Sequence, residues 1–168
     1  MLKNSPLVSV IIPTFNGSRT VLSTLSSVFR QDYTFIELIV VDDGSSDSTS
    51  SLVRDFVAKS NFRGTFVLVQ HDKNVGLSLT LNDGLGRAQG AYVLILHQDC
   101  EFMIDTYISK AITLMYNNQV AIVTGYYGVS DPEDDTFVKR AFGVLRRQFH
   151  ARPEVSCEEV TFSEGKCD

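Results

Sequence analysis

The sequence predicts an α/β fold: a mainly parallel sheet with helices on both faces. Three observations predict it. Short runs rich in Val and Ile alternate with stretches whose apolar residues recur at helical spacing. Each apolar run breaks off in a polar loop. Repeated strand, loop and helix units imply crossover connections, which lay successive strands side by side and parallel. The chain has 168 residues, 43% hydrophobic and 21% charged, the length and balance of one globular domain.

The elements follow in order. Residues 7–13, ending at Pro13, read as a buried strand. Thr14-Phe15-Asn16-Gly17-Ser18 is a loop with capping residues, and Val21, Leu22, Leu25, Val28 and Phe29 then repeat at helical spacing. Residues 36–41 are the second strand. Gly44-Ser45-Ser46-Asp47-Ser48 is a turn and helix start, and Leu52, Val53, Phe56 and Val57 form the next helical face. Residues 65–70 are a third strand and 71–76 a polar loop. Residues 77–89 read as a helix containing Gly84 and Gly86. A fourth strand at 91–96, a helix at 104–116 and a fifth strand at 120–126 complete the alternation. Right-handed crossovers then bring the strand-end loops to one rim, where Asn16, Asp42, Asp43, Asn74 and Asp99 should converge.

After Gly128 the pattern changes. Ser130-Asp131-Pro132-Glu133-Asp134-Asp135 is an acidic loop. Residues 137–149 are basic and amphipathic, with Val138, Phe142, Leu145 and Phe149 on one face. The expected division is an α/β domain over 7–128 and the start of a further region over 129–168.

Composition narrows the function. A net charge of −5 argues against general nucleic-acid binding. Cys100, Cys157 and Cys167 form no CxxC pair, so neither a zinc pattern nor a disulfide framework is expected, and a reducing cytosol suits them. No signal peptide is visible, and no apolar run reaches the ~18 residues of a membrane span. The expected location is cytoplasmic, with peripheral membrane association left open.

The chemistry-bearing residues lie at strand ends, the edge where open parallel sheets take ligands. Pro13 ends the first strand, and Thr14 and Asn16 follow with groups able to hydrogen-bond a ligand. Asp42 and Asp43 end the second. One can accept from a base or sugar hydroxyl while the other caps the next helix through the Ser45 or Ser46 amide. Capping alone explains one of them, because adjacent like charges repel. Asn74 and Gly76 form a turn that lets backbone approach a phosphate. Asp99, with His97 nearby, can hold a divalent cation shared with phosphate oxygens. Each segment has a plainer structural use as a turn or cap.

Taken together, Val10-Ile11-Ile12-Pro13-Thr14-Phe15-Asn16, Gln31-Asp32-Tyr33, residues 37–47, Asn74-Val75-Gly76, Asn82 and Ala88-Gln89-Gly90 resemble the family 2 glycosyltransferases. The resemblance covers roughly residues 8–128. It implies the Rossmann-like nucleotide-binding half of the GT-A fold, a nucleotide-sugar donor, Mn²⁺ or Mg²⁺, and inversion at the anomeric carbon. Pro13, Thr14, Asn16, Asp42, Asp43, Asn74 and Gly76 match nucleotide-binding positions. Asp99 matches the last aspartate of the family's DxD metal motif. His97 stands where the first aspartate is expected, and an imidazole suits Mn²⁺ better than Mg²⁺. The acceptor, a glycan or lipid-linked glycan, would be met by a later half carrying the catalytic base, and the chain stops about where that half would begin. A truncated, donor-binding piece is therefore one expectation, and a catalytically silent nucleotide-sugar-binding module is the alternative. A phosphoacceptor domain fits less well, since such domains place their acidic pair after the first strand.

Overall fold

The computed structural model describes residues 5–118. The expected strand at 120–126, the amphipathic stretch at 137–149 and the 128/129 boundary lie outside them. Contacts divide the chain into two compact units, Met1–Thr113 and Leu114–Asp168. The sheet and its rim belong to the first.

Four strands, β1 (Val8–Thr14), β2 (Ile36–Asp42), β3 (Thr65–Gln70) and β4 (Tyr92–Ile95), alternate with helices α1 (Val21–Phe29), α2 (Thr49–Lys59), α3 (Leu77–Arg87) and α4 (Tyr107–Asn118). All the strand pairs are parallel, and the order across the sheet is β3-β2-β1-β4. Successive side chains point to opposite faces, so each central strand feeds two cores. Val8, Val10 and Ile12 of β1 and Ile36, Leu38 and Val40 of β2 pack with α1, Val53 of α2, and Ile108 and Ile112 of α4. Ile11, Ile39 and Val41 face the other way, with Leu81 and Ala88 over them. Burial of each such side chain stabilises the fold by about 1.5–3 kcal/mol, which explains why β1 and β2 read as unbroken apolar runs.

Two clamps hold this frame. In the first, Ser9 and Glu37 are register partners on the α3 face. The Ser9 hydroxyl donates to Glu37 Oε2 at 2.6 Å, the Gln89 amide donates to the same oxygen at 2.9 Å, and the Gly90 amide donates to Ser9 Oγ at 2.8 Å. α3 accommodates Gly84 and Gly86 but ends at Arg87, because the next amides turn inward to this buried pair. In the second, buried Gln31 accepts from the Ile108 amide at 3.1 Å and donates to the Ile104 carbonyl at 2.9 Å, fixing the start of α4. The Tyr33 hydroxyl donates to the Pro6 carbonyl. The Gln31-Asp32-Tyr33 and Ala88-Gln89-Gly90 segments are thus brackets for the sheet.

The strand order sets where a ligand can enter. β1 is followed on one side by β2 and on the other by β4, so the chain reverses its direction of winding at β1. The crevice beyond the carboxyl ends of β1 and β4 is the switch point of the sheet.

Candidate functional site

Pro13 opens that crevice. The Ile11 carbonyl accepts from the Leu96 amide at 3.0 Å and so faces β4, while the Thr14 carbonyl accepts from the Asp43 amide at 2.8 Å and faces β2. Alternation turns the Pro13 backbone toward β4. There the paired register ends at Ile11↔Ile95, so the missing N–H costs no ladder bond. Thr14 is buried, its hydroxyl directed at the Val41 carbonyl.

The next loop is tied to the loop after β2. Asn16 has φ 48°, a left-handed conformation that Asn tolerates better than most residues. Its amide donates to Ser45 Oγ at 2.8 Å and its Oδ1 accepts from the Ser46 amide at 2.9 Å. Asp47 accepts from the Thr49 amide at 2.9 Å and the Ser18 amide at 3.1 Å. The Thr49 hydroxyl, above all, brings the Asp47 pKa down to about 2. The helix starts within the expected 44–48 turn: Ser48 holds the N-cap position without a side-chain cap bond, and Asp47 supplies the capping carboxylate.

Asp42 and Asp43 are only 2% and 4% exposed, yet they do not repel each other across a shared pocket. They point to opposite faces of the sheet. Asp42 turns to the α2 side, where Oδ1 accepts from the Ser45 amide at 3.1 Å and its hydroxyl at 2.5 Å, and Oδ2 accepts from Ser50. Asp43 turns to the α3 side. Its Oδ1 accepts from the Val75 amide at 2.8 Å and its Oδ2 from the Gly76 amide at 2.9 Å. Gly76 has φ 94°, a region that glycine enters without strain. Asn74 is exposed at the tip of the same loop. Burial pushes the Asp43 pKa up, but the hydrogen bonds from His71, Val75, Gly76 and Thr80 outweigh it and hold it below 3.8.

His71 completes this corner. Its Nδ1 lies 2.9 Å from Asp43 Oδ1 and its Nε2 lies 3.2 Å from Asp83 Oδ2, while Asp83 also accepts from Arg87 at 3.3 Å. Two carboxylate partners call for two N–H donors, which is the imidazolium form. The Asp43 hydrogen bond raises the His71 pKa; burial opposes this, and Asp83 adds to it.

The loop after β4 is built differently. His97 and Asp99 are both exposed. The hydrogen bond to the Asp99 carboxylate is a long one from the Cys100 thiol, at 3.8 Å. Burial pushes that thiol's pKa up, with Asp99 adding to it, so Cys100 stays protonated. Between them, Gln98 folds back onto β1: Oε1 accepts from the Phe15 amide at 2.9 Å and Nε2 donates to the Phe15 carbonyl at 3.1 Å. Among the described residues no three His, Cys, Asp or Glu side chains gather around one point. Even so, an accessible carboxylate beside an accessible imidazole fits a cation whose other ligands come from a bound diphosphate.

Four residues that matter here were not marked by the sequence pattern. Glu37 and Ser9 carried one available signal, as polar residues inside two apolar strands. His71 and Gln98 carried none, because their partners come from other loops.

A doubly wound sheet with polar loops at its switch point defines an α/β protein that takes its ligand at the carboxyl ends of the strands. The sequence profile of Glycosyl transferase family 2 matches residues 9–167, and the chain belongs to that family. An uncharacterized glycosyltransferase of Haemophilus influenzae is 31% identical over 130 residues, 77% of this chain and 50% of that protein. The UDP-Glc:alpha-D-GlcNAc-diphosphoundecaprenol beta-1,3-glucosyltransferase WfgD of Escherichia coli is 32% identical over 123 residues, 73% of this chain and 46% of its own length. The mannosyltransferase PcManGT of Pyrobaculum calidifontis, solved with GDP-Man and Mn²⁺, superposes with a TM-score of 0.64 at 27% identity, over 79% of this chain and 38% of its own. The chain thus spans half or less of the length of these relatives. The parallel sheet is the nucleotide-binding half of the GT-A fold.

Proposed function

We propose that this chain carries the donor site of an inverting glycosyltransferase that takes a nucleotide-sugar. The carrying observation is a rim of strand-end loops tied to one another by hydrogen bonds, Asn16 to Ser45 and Ser46, Asp43 to Val75 and Gly76, and Gln98 to Phe15, in a chain of this family. Pro13, Thr14 and Asn16 would border the nucleotide on one side, and the loops carrying Asp42 on the α2 side and Asp43, Asn74 and Gly76 on the α3 side would border it on the other. A carboxylate offers about four lone-pair positions: Asp42 accepts three hydrogen bonds and keeps one position to spare, whereas the four donors on Asp43 fill its set. Its fixed orientation lets Asp42 read an N–H or O–H group of a base or ribose without reorganising, while Asp43 shapes the loop that carries Asn74 and Gly76.

Asp99, with His97, would hold Mn²⁺ or Mg²⁺, which when bound offsets the charge on the departing diphosphate. In the transfer, a base beyond the described residues takes the acceptor hydroxyl proton. The new C–O bond forms on the face opposite the breaking bond to the diphosphate, and the nucleoside diphosphate leaves. The E. coli relative's diphosphoundecaprenol substrate supports a lipid-linked acceptor and peripheral contact with a membrane. Among the described residues, no helix is long and apolar enough to cross one.

A thermal-shift screen of UDP- and GDP-sugars, with and without Mn²⁺, tests the donor site. At least one should raise the melting temperature by several degrees at saturating ligand, because a ligand that binds only the native state stabilises it. No shift with any nucleotide-sugar would overturn the reading. Binding without transfer to any acceptor, in a chain extended to its relatives' length, would leave the silent module.

A further inference from the structure

We infer that Gln98 is a positioning residue, one that fixes the Asp99 loop against the Thr14–Gly17 loop so that cation and nucleotide are bound as one unit. The inference rests on the donor-site reading above and concerns a residue whose side-chain amide is engaged with the Phe15 backbone.

The β1 edge that faces β4 has a gap at Pro13. Beyond Ile11↔Ile95 the register with β4 stops, and among the described residues no strand pairs with the β4-facing edge of β1 past that point. Phe15 lies two residues past Pro13, so its N–H and C=O face that same side. The Gln98 amide occupies this place, accepting from the Phe15 N–H at 2.9 Å and donating to its carbonyl at 3.1 Å. A primary amide offers the same donor–acceptor pair as a peptide group, so Gln98 continues the sheet across the gap with a side chain.

Two further contacts hold Gln98 in place. The Thr24 hydroxyl of α1 donates to the Gln98 carbonyl at 2.7 Å, and the Cys100 amide closes a turn onto the His97 carbonyl at 3.0 Å. Gly17 leaves the room: a Cβ there would lie 2.1 Å from Gln98 Oε1. With Gln98 anchored, its neighbours His97 and Asp99 are left exposed with their side chains accessible. The residue between the two cation-facing side chains is thus the one that joins them to the nucleotide loop.

The consequence is a coupling. If the two loops are locked, Mn²⁺ should strengthen nucleoside diphosphate binding by a factor that depends on Gln98, while binding of the nucleoside alone should not. Calorimetry on the full chain with UDP and GDP, and with uridine and guanosine, each with and without Mn²⁺, reads this. Gln98→Ala and Gln98→Glu should cut the Mn²⁺ enhancement by about tenfold or more, roughly the 1.4 kcal/mol expected of a lost hydrogen-bonded contact. Nucleoside affinity should change less than about twofold, within the scatter of a remote substitution. Gly17→Ala gives an independent route, since its methyl group would displace only the flexible end of Gln98 and should reproduce the loss with Gln98 still present. Wild-type Mn²⁺ enhancement in Gln98→Glu and Gly17→Ala would overturn the positioning role while leaving the donor site standing. Loss of nucleoside and diphosphate binding alike would also overturn it, showing Gln98 to be a general structural support. A wild-type chain that binds no nucleotide would remove the donor-site reading itself.

Discussion

The loops after β2 and β4 end neighbouring parts of the same rim, yet they treat their carboxylates in opposite ways. After β2, Asp42 and Asp43 are buried and each is held by several donors. After β4, Asp99 is exposed and, among the described residues, accepts a long bond from the Cys100 thiol alone. A fixed carboxylate can recognise N–H and O–H groups by position, since the backbone has already oriented it. An accessible carboxylate is suited to a cation, whose remaining ligands arrive with the substrate. The contrast teaches that one rim can combine a pre-built recognition wall with an open corner.

The largest expected effect breaks the wall. Asp43→Ala would strip the Val75 and Gly76 amides and the His71 imidazolium of their shared acceptor. Loss of one partner from a buried charged pair costs about 3–5 kcal/mol, and urea unfolding should show a loss of that order. A loss under about 1 kcal/mol would mean that the corner is solvated and that the contrast with Asp99 is false.

An intermediate effect comes from pH. The raised pKa of His71 means that its stabilising contribution is complete below the unfolded value of 6.5 and is lost as pH rises through the higher folded value. The lowered pKa of Asp43 works in the other direction: its contribution is present above 3.8 and is lost as pH falls through the folded value. The urea midpoint should therefore fall as pH rises above 6.5 and through the higher folded value, and His71→Gln should flatten that decline. An unchanged alkaline slope in the variant would show that the Asp43–His71–Asp83 bridge carries no net stability.

The smallest effect on stability belongs to the open corner. Asp99→Ala should leave unfolding within about 0.5 kcal/mol of wild type, as an exposed substitution does. The same variant should lose the Mn²⁺-dependent gain in nucleoside diphosphate affinity, measured by calorimetry. Wild-type affinity with Mn²⁺ in Asp99→Ala would take the cation away from this loop. These outcomes set Asp43 and Asp99 apart: one changes stability first, the other changes ligand binding alone.

Much of the fold was legible in the chain. The four described strands and four helices fall where the apolar patterns predict them, within one to three residues at their ends. The differences have local causes. The fourth strand is shorter than its apolar run, because β1 stops offering it partners at Ile11. The third helix ends early because Glu37 draws in the Gln89 amide. The motif residues were legible as strand ends, but their roles were less so. Asp42 and Asp43 looked like a pair, and strand alternation separated them onto opposite faces.

The sequence by itself determined the α/β alternation, the parallel sheet, the family and the set of loops at which a ligand site must form. It could do so because apolar periodicity and strand-end polarity are local properties, written over a few consecutive residues. Only the tertiary structure decided which polar groups are spent on one another. Gln98 reaches Phe15 across 83 positions of sequence, and Asp43 reaches the Val75 amide across 32. Such partners are set by crossover geometry and by the strand order β3-β2-β1-β4. No local pattern encodes them, since a hydrogen bond between loops depends on where the sheet delivers each loop.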